Sequence, residues 1–154
     1  MATKKKKKKK RGPNKAVRMR RLLKKCSEEW SRAVRLRDGK CMRCGATENL
    51  AAHHWIVSRA RSRRYRFDLR NGVSLCYGCH VHGVHVEASM AAVYGLFLAQ
   101  HFVSWDEVLA MMNMAAADTK ENEQQFTEEG LAEILAGLQQ ITGNLETQNY
   151  MESL

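Results

Sequence analysis

Two cysteine pairs, Cys41–Cys44 and Cys76–Cys79, constrain this chain more than any other feature. A C-x2-C turn presents two thiolates to one ion, and two such turns complete a tetrahedral four-sulfur set. The pairs stand 31 residues apart, further than in a simple zinc ribbon, so something must fold between them. A structural Zn2+ held by Cys41, Cys44, Cys76 and Cys79 is therefore expected. Its binding free energy would become folding free energy for a segment with little core of its own. The fifth cysteine, Cys26, falls on the apolar side of an earlier helical pattern and reads as a core thiol. The basic N-terminus has no apolar stretch behind it and does not read as a secretory signal. A reducing, cytoplasmic setting is expected, where such pairs read as zinc sites rather than disulfides.

Charge is segregated along the chain. Residues 1–40 carry 18 Lys/Arg against three acids, residues 41–80 seven against two, and residues 81–154 one against eleven. A basic front half seeks a polyanion. DNA is the expected partner. A membrane is not, because no strongly apolar helix face accompanies the charge and no run of 18 apolar residues exists. No small-molecule substrate is indicated.

Four segments follow. Residues 1–13 include the lysine run Lys4–Lys10 and read as a disordered basic tail. Residues 14–40 read as a basic amphipathic helix, with Val17, Leu22, Cys26, Trp30 and Val34 recurring at helical spacing and Asp38-Gly39 as a stop. Residues 41–118 hold the Cys/His/Arg-rich segment and two helix candidates, Met90–Gln100 and the stretch capped by Ser104. Residues 119–154 read as an acidic linker and a C-terminal amphipathic helix with Leu131, Ile134, Leu135, Leu138 and Ile141 on one side, its last dozen residues frayed.

Between the cysteine pairs stands His53-His54. Adjacent residues of an extended segment face opposite ways, so one imidazole can bind metal while its neighbour serves another role. A neutral imidazole suits activation of water. Asn71-Gly72 reads as a turn dipeptide, and His80 follows Asn71 by nine residues. In this order, C-x2-C at 41–44, "HH" at 53–54, Asn71 and "LCYGCH" at 75–80 resemble the HNH, or ββα-metal, nuclease family. The resemblance implies an α+β fold: a small zinc-stapled, treble-clef-like ββα-metal core with flanking helices. It implies His53 and His80 as ligands of one catalytic divalent metal, His54 as general base, and Asn71 as the residue holding the base-bearing loop. His85 is the third candidate ligand, with His82 behind it. The activity implied is metal-dependent hydrolysis of DNA phosphodiesters, leaving a 5′-phosphate and a 3′-hydroxyl. Where many members carry Asp at the first metal position, this chain has His53, and "WIVS" replaces the usual Pro after the base. Imidazole ligation favours Mn, Ni, Zn or Co over Mg.

The run "SRARSRRYRFDLR" separates His54 from Asn71. In an extended conformation Arg59, Arg61 and Arg63 would share a face; with Arg64 they are the expected phosphate contacts. Tyr65 and Phe67 read as packing residues. A wider stretch, including "RDGKCMRCG", "RFDLRNGVSLCYGC" and "SWDEV", is similar to the lambdoid phage NinG (Rap) recombination nucleases, which implies a phage or prophage source and a branched DNA substrate. The competing reading is a noncatalytic zinc module that binds nucleic acid, with His53 and His54 structural. A third is an interaction protein that uses its acidic helical C-terminal half to bind a partner.

Overall fold

A computed structural model describes residues 14–60, 63–84, 105–118 and 125–153. Within them the chain is α+β, mainly helical, with one two-stranded antiparallel sheet. The order is α1 (Lys15–Asp38), β1 (Leu50–His54), a 3-10 turn (Leu69–Asn71), β2 (Gly72–Cys76), a π-helical segment (Cys79–Val84), α2 (Trp105–Ala117) and α3 (Glu128–Glu152). None of the described helices is long and apolar enough to cross a membrane. The basic tail, the Met90–Gln100 helix reading and the Ser104 cap fall outside the described residues; the helix expected after Ser104 is α2.

Both ends of α1 are set by local chemistry. The Asn14 side chain accepts the Val17 N–H at 3.0 Å, satisfying one of the unpaired donors of the first turn. Gly39, at φ 63°, closes the helix by donating its N–H to Arg35 O. Just before it, the buried Asp38 carboxylate accepts Ser74 N–H at 2.7 Å and Arg37 Nε at 2.7 Å. Arg37 in turn donates to Leu69 O and Gly72 O, both at 2.7 Å. The helix end is thereby clamped to the start of β2.

The sheet runs in register from Leu50↔Cys76 to His54↔Gly72, and each face has its own core. Val73 and Leu75 pack with Cys41, Val57, Tyr65 and the α2 residues Val108, Met111 and Ala115. On the other face α1 and α3 join Cys26, Trp30, Val34, Leu131 and Leu138 into a second cluster, with Ala52 and Phe67 against it. Cys26 is fully buried, as expected of a core thiol, and its Sγ lies 3.3 Å from Leu131 O.

Several sequence expectations need correction. The C-terminal helix does not fray over its last dozen residues; it continues to Glu152, and Asn149 Nδ2 donates to Leu36 O of α1 at 3.3 Å. Of its apolar stripe, Leu131 and Leu138 are buried while Ile141 is 39% exposed. The Asn71-Gly72 dipeptide is divided: Asn71 ends the 3-10 turn, and Gly72 opens β2 rather than completing a turn. The glycine is required by close approach. A Cβ there would lie 2.5 Å from Val34 Cγ2 and 2.8 Å from Trp30 Cζ2. Gly72→Ala is expected to lower stability by about 1–3 kcal/mol, the usual cost of forcing atoms into a packed contact. Urea titration against wild type checks this, and an unchanged midpoint would contradict the packing.

Candidate functional site

The four paired cysteines converge. The Sγ atoms of Cys41, Cys44, Cys76 and Cys79 all lie within 4.8 Å of one another, and Cys44 and Cys76 are 3.7 Å apart. Tetrahedral zinc with Zn–S near 2.3 Å requires sulfurs about 3.8 Å apart, so the donor set fits the ion. The first knuckle closes through Gly45, which at φ 79° donates its N–H to Cys41 O at 2.9 Å. Met42 N–H to Ser74 O (2.9 Å) ties that knuckle to β2, and Tyr77 N–H to Asn49 O (3.2 Å) ties the second to the start of β1. Burial pushes the Cys41 thiol up, but the backbone N–H groups of Cys76, Cys44 and Arg43 outweigh it and bring it down to about 7. Cys79 is pushed far up by burial and by its three thiol neighbours. Four close thiols cannot all ionise without a cation, which is the electrostatic case for a metal among them.

The second constellation lies across the free edge of β1. His53 and His54 alternate as expected of a strand. His53 shares a face with Val73 and meets His80 edge to face, centroids 5.1 Å apart at 64°. His54 pairs with Gly72 on the other face and stacks on Trp30, centroids 4.0 Å apart at 16°. The three imidazoles line one cleft of about 470 Å³ with Trp30, Arg59 and Arg66. His80 lies in the π-helical segment, not in the regular helix expected there. A π turn lets the backbone widen locally and is frequent at functional positions.

His54 Nε2 lies 2.9 Å from Arg66 O. A carbonyl only accepts, so Nε2 carries the proton and Nδ1 keeps its lone pair. Burial lowers the pKa of this imidazole; the Arg66 carbonyl partly opposes that, and the positive charges of Arg59 and Arg66 lower it further. The ring is therefore neutral at pH 7 and can accept a proton.

Asn71 is fully buried and makes four hydrogen bonds to the segment after β1. Its Oδ1 accepts Ile56 N–H (3.0 Å) and Val57 N–H (2.8 Å); its Nδ2 donates to Val57 O (2.8 Å) and Tyr65 O (3.0 Å). Both ends of the arginine segment are thus pinned to one amide.

Arg59 and Arg63, the described members of the expected ladder, do not share one extended face. Among the described residues the chain bends and turns at 56–60 and again at 63–67, so the arginines divide. Arg59 enters the imidazole cleft, whereas Arg63 and Arg64 line a separate groove with Phe126 and Ile134, and Arg64 pairs with Asp118 at 3.2 Å. Arg61 and His85 lie outside the described residues, and His82 is exposed. Arg66, absent from the expected contacts, supplies the carbonyl that holds His54, lines the same cleft, and lies near enough for its charge to act on that imidazole. Burial and the charges of Arg59 and Arg63 lower its pKa. Its place among six arginines was not readable without the turns. Tyr65 is buried and Phe67 meets Phe126 at 5.6 Å, in keeping with packing roles.

The full chain purified from zinc-supplemented cells is expected to carry about one tightly held zinc through these four sulfurs. Elemental analysis should show that zinc lost in Cys76→Ser and retained in Cys26→Ala; retention in Cys76→Ser would refute the cluster as a zinc site. No family model, no curated protein and no solved structure matches this chain.

Proposed function

We propose that this chain is a metal-dependent DNA endonuclease of the HNH type. One observation carries the reading: His53, His54 and His80 meet with Arg59 and Arg66 in one cleft, with His54 neutral and its Nδ1 lone pair available. His53 and His80 offer two imidazole donors to a borderline divalent ion such as Mn, Ni, Zn or Co, with Mg less suited to them. When bound, that ion would polarise the scissile phosphate and neutralise the departing 3′ oxygen. His85 remains the candidate for a third ligand.

The chain's own groups supply the rest. His54 Nδ1 takes a proton from the attacking water, while the Nε2 bond to Arg66 O and the Trp30 stack hold the ring. Arg59 and Arg66 grip non-bridging phosphate oxygens as these gain charge. Asn71 fixes the segment that carries both arginines. Hydrolysis then breaks the P–O3′ bond and leaves a 5′-phosphate. The ββα-metal core is part of this proposal: β1, β2 and the segment carrying His80 are its counterparts here.

A supercoiled-plasmid assay with Mn, Ni, Zn, Co and Mg in separate reactions tests the reading. Wild type should nick the plasmid, and His54→Ala should be slower by about 10²–10⁴-fold, the usual loss of a general base. Absence of cleavage with every metal would favour the noncatalytic zinc module, and full activity in His54→Ala would remove the base assignment. The pH profile follows from the lowered pKa of His54. The base works when neutral, so cleavage should persist as pH falls through the ordinary imidazole value near 6.5 and decline only below it. A decline centred above that value would contradict the environment described.

A further inference from the structure

The imidazole cleft does not end at the sheet. Ser27 and Ser31 of α1 line it, and the same two serines line a shallow groove with Lys24, Glu28 and Arg35 on the outer face of the helix. The two depressions share these serines as lining and so adjoin one another on α1. Lys24, Ser27, Ser31 and Arg35 follow one another at three- and four-residue steps, so they form one stripe along α1, and Arg20 extends it by a further turn.

The geometry points to this stripe as a nucleic-acid shelf: a track on α1 that takes the backbone phosphates flanking the one held in the cleft. This inference rests on the nuclease reading for its polyanion and adds where the flanking strand lies.

Three observations favour it. First, α1 is rigidly placed, because Trp30 and Val34 seat on Gly72 and Arg37 and Asp38 clamp the helix end. Second, Arg35 is oriented along the stripe, since its Nη1 donates to Ser31 Oγ at 2.6 Å. Third, two arginines of the opposite flank of α1 are engaged by α3. Arg18 pairs with Glu128 at 2.9 Å, and Arg32 pairs with Glu146, both on α3. Positive charge remains available on the cleft side. From Lys24 to Arg35 the helix rises about 16 Å, which matches about five steps of one strand of B-form DNA. Glu28 is the single acid of the groove and lies 3.6 Å from Lys24, with both side chains exposed. Such a pair is weak enough for a phosphate to displace.

The test measures binding rather than cutting. Fluorescence anisotropy of the full-length protein with a labelled duplex, without added divalent metal, gives affinity against salt concentration. Lys24→Ala/Arg35→Ala should reduce the slope of log K against log salt by about two and weaken binding roughly 50-fold at 0.1 M salt. Lys15→Ala/Lys25→Ala removes the same charge away from the stripe and should leave the slope nearly unchanged; Glu28→Gln should tighten binding. Equal slope losses in the two double variants, or none in Lys24→Ala/Arg35→Ala, would overturn the shelf. Thermal melts confirm that each variant is folded. A wild-type protein that binds with the full slope yet cuts nothing would sink the nuclease reading alone.

Discussion

The convergence of four thiols organises everything around it. The sheet has two strands, and such a pair is marginal in water without something to anchor it. Here one knuckle follows α1 and the other ends β2, so closing the cluster joins the helix, the strand pair and the π-helical segment at one point. Cys41 also belongs to the core that Val73 and Leu75 share with α2, which couples the sulfur cluster to apolar packing. The next link is covalent. Cys79 belongs to the thiol cluster and His80, its neighbour in sequence, meets His53. Whatever fixes the sulfurs fixes that imidazole to within one residue.

A second dependence runs through Gly72. Lacking a Cβ, it lets Trp30 descend onto the sheet, and Trp30 then covers His54 on the facing strand. That cover desolvates the ring, which is the first cause of its lowered pKa; the arginine charges act in the same direction. Under the nuclease reading this has a chemical consequence. A phosphate seated between Arg59 and Arg66 would cancel part of their field, so His54 would become more basic when substrate is present. On that reading the free protein would keep His54 unprotonated, and the bound one would strengthen it as a base.

Much of this was legible from residue types and spacing. The C-x2-C pairs, the alternation of His53 and His54, the extent of α1 and the burial of Cys26 follow from local rules, because one turn or one strand decides each. The partition of the arginines did not. Arg59 and Arg66 face the cleft and Arg64 faces Asp118 because the segment bends, and those bends are held by Asn71 from beyond it. Gly72 was read as half of a turn dipeptide, since nothing local announces that a tryptophan 42 residues earlier needs the space. The far end of α3 was hidden for the same reason: Asn149 reaches Leu36 O of α1 across more than a hundred residues of sequence.

The segregation of charge along the sequence takes on a different meaning in three dimensions. Read linearly, a basic front half and an acidic rear suggest two regions with two partners. Folded, the acidic helix α3 lies along the basic helix α1 and pairs with it at Arg18 and Arg32. Exposed ion pairs of this kind add little stability, typically under about 1 kcal/mol each. The hold between the helices comes instead from burying Cys26, Leu131 and Leu138. What the pairs change is direction. By neutralising Arg18 and Arg32 on one flank of α1 they shift the balance of its charge toward the side that adjoins the imidazole cleft. An extended anion approaching from solvent is then drawn toward one side of the molecule rather than to a diffuse positive surface. The acidic C-terminal region thereby shapes the field of the basic one without touching the cleft.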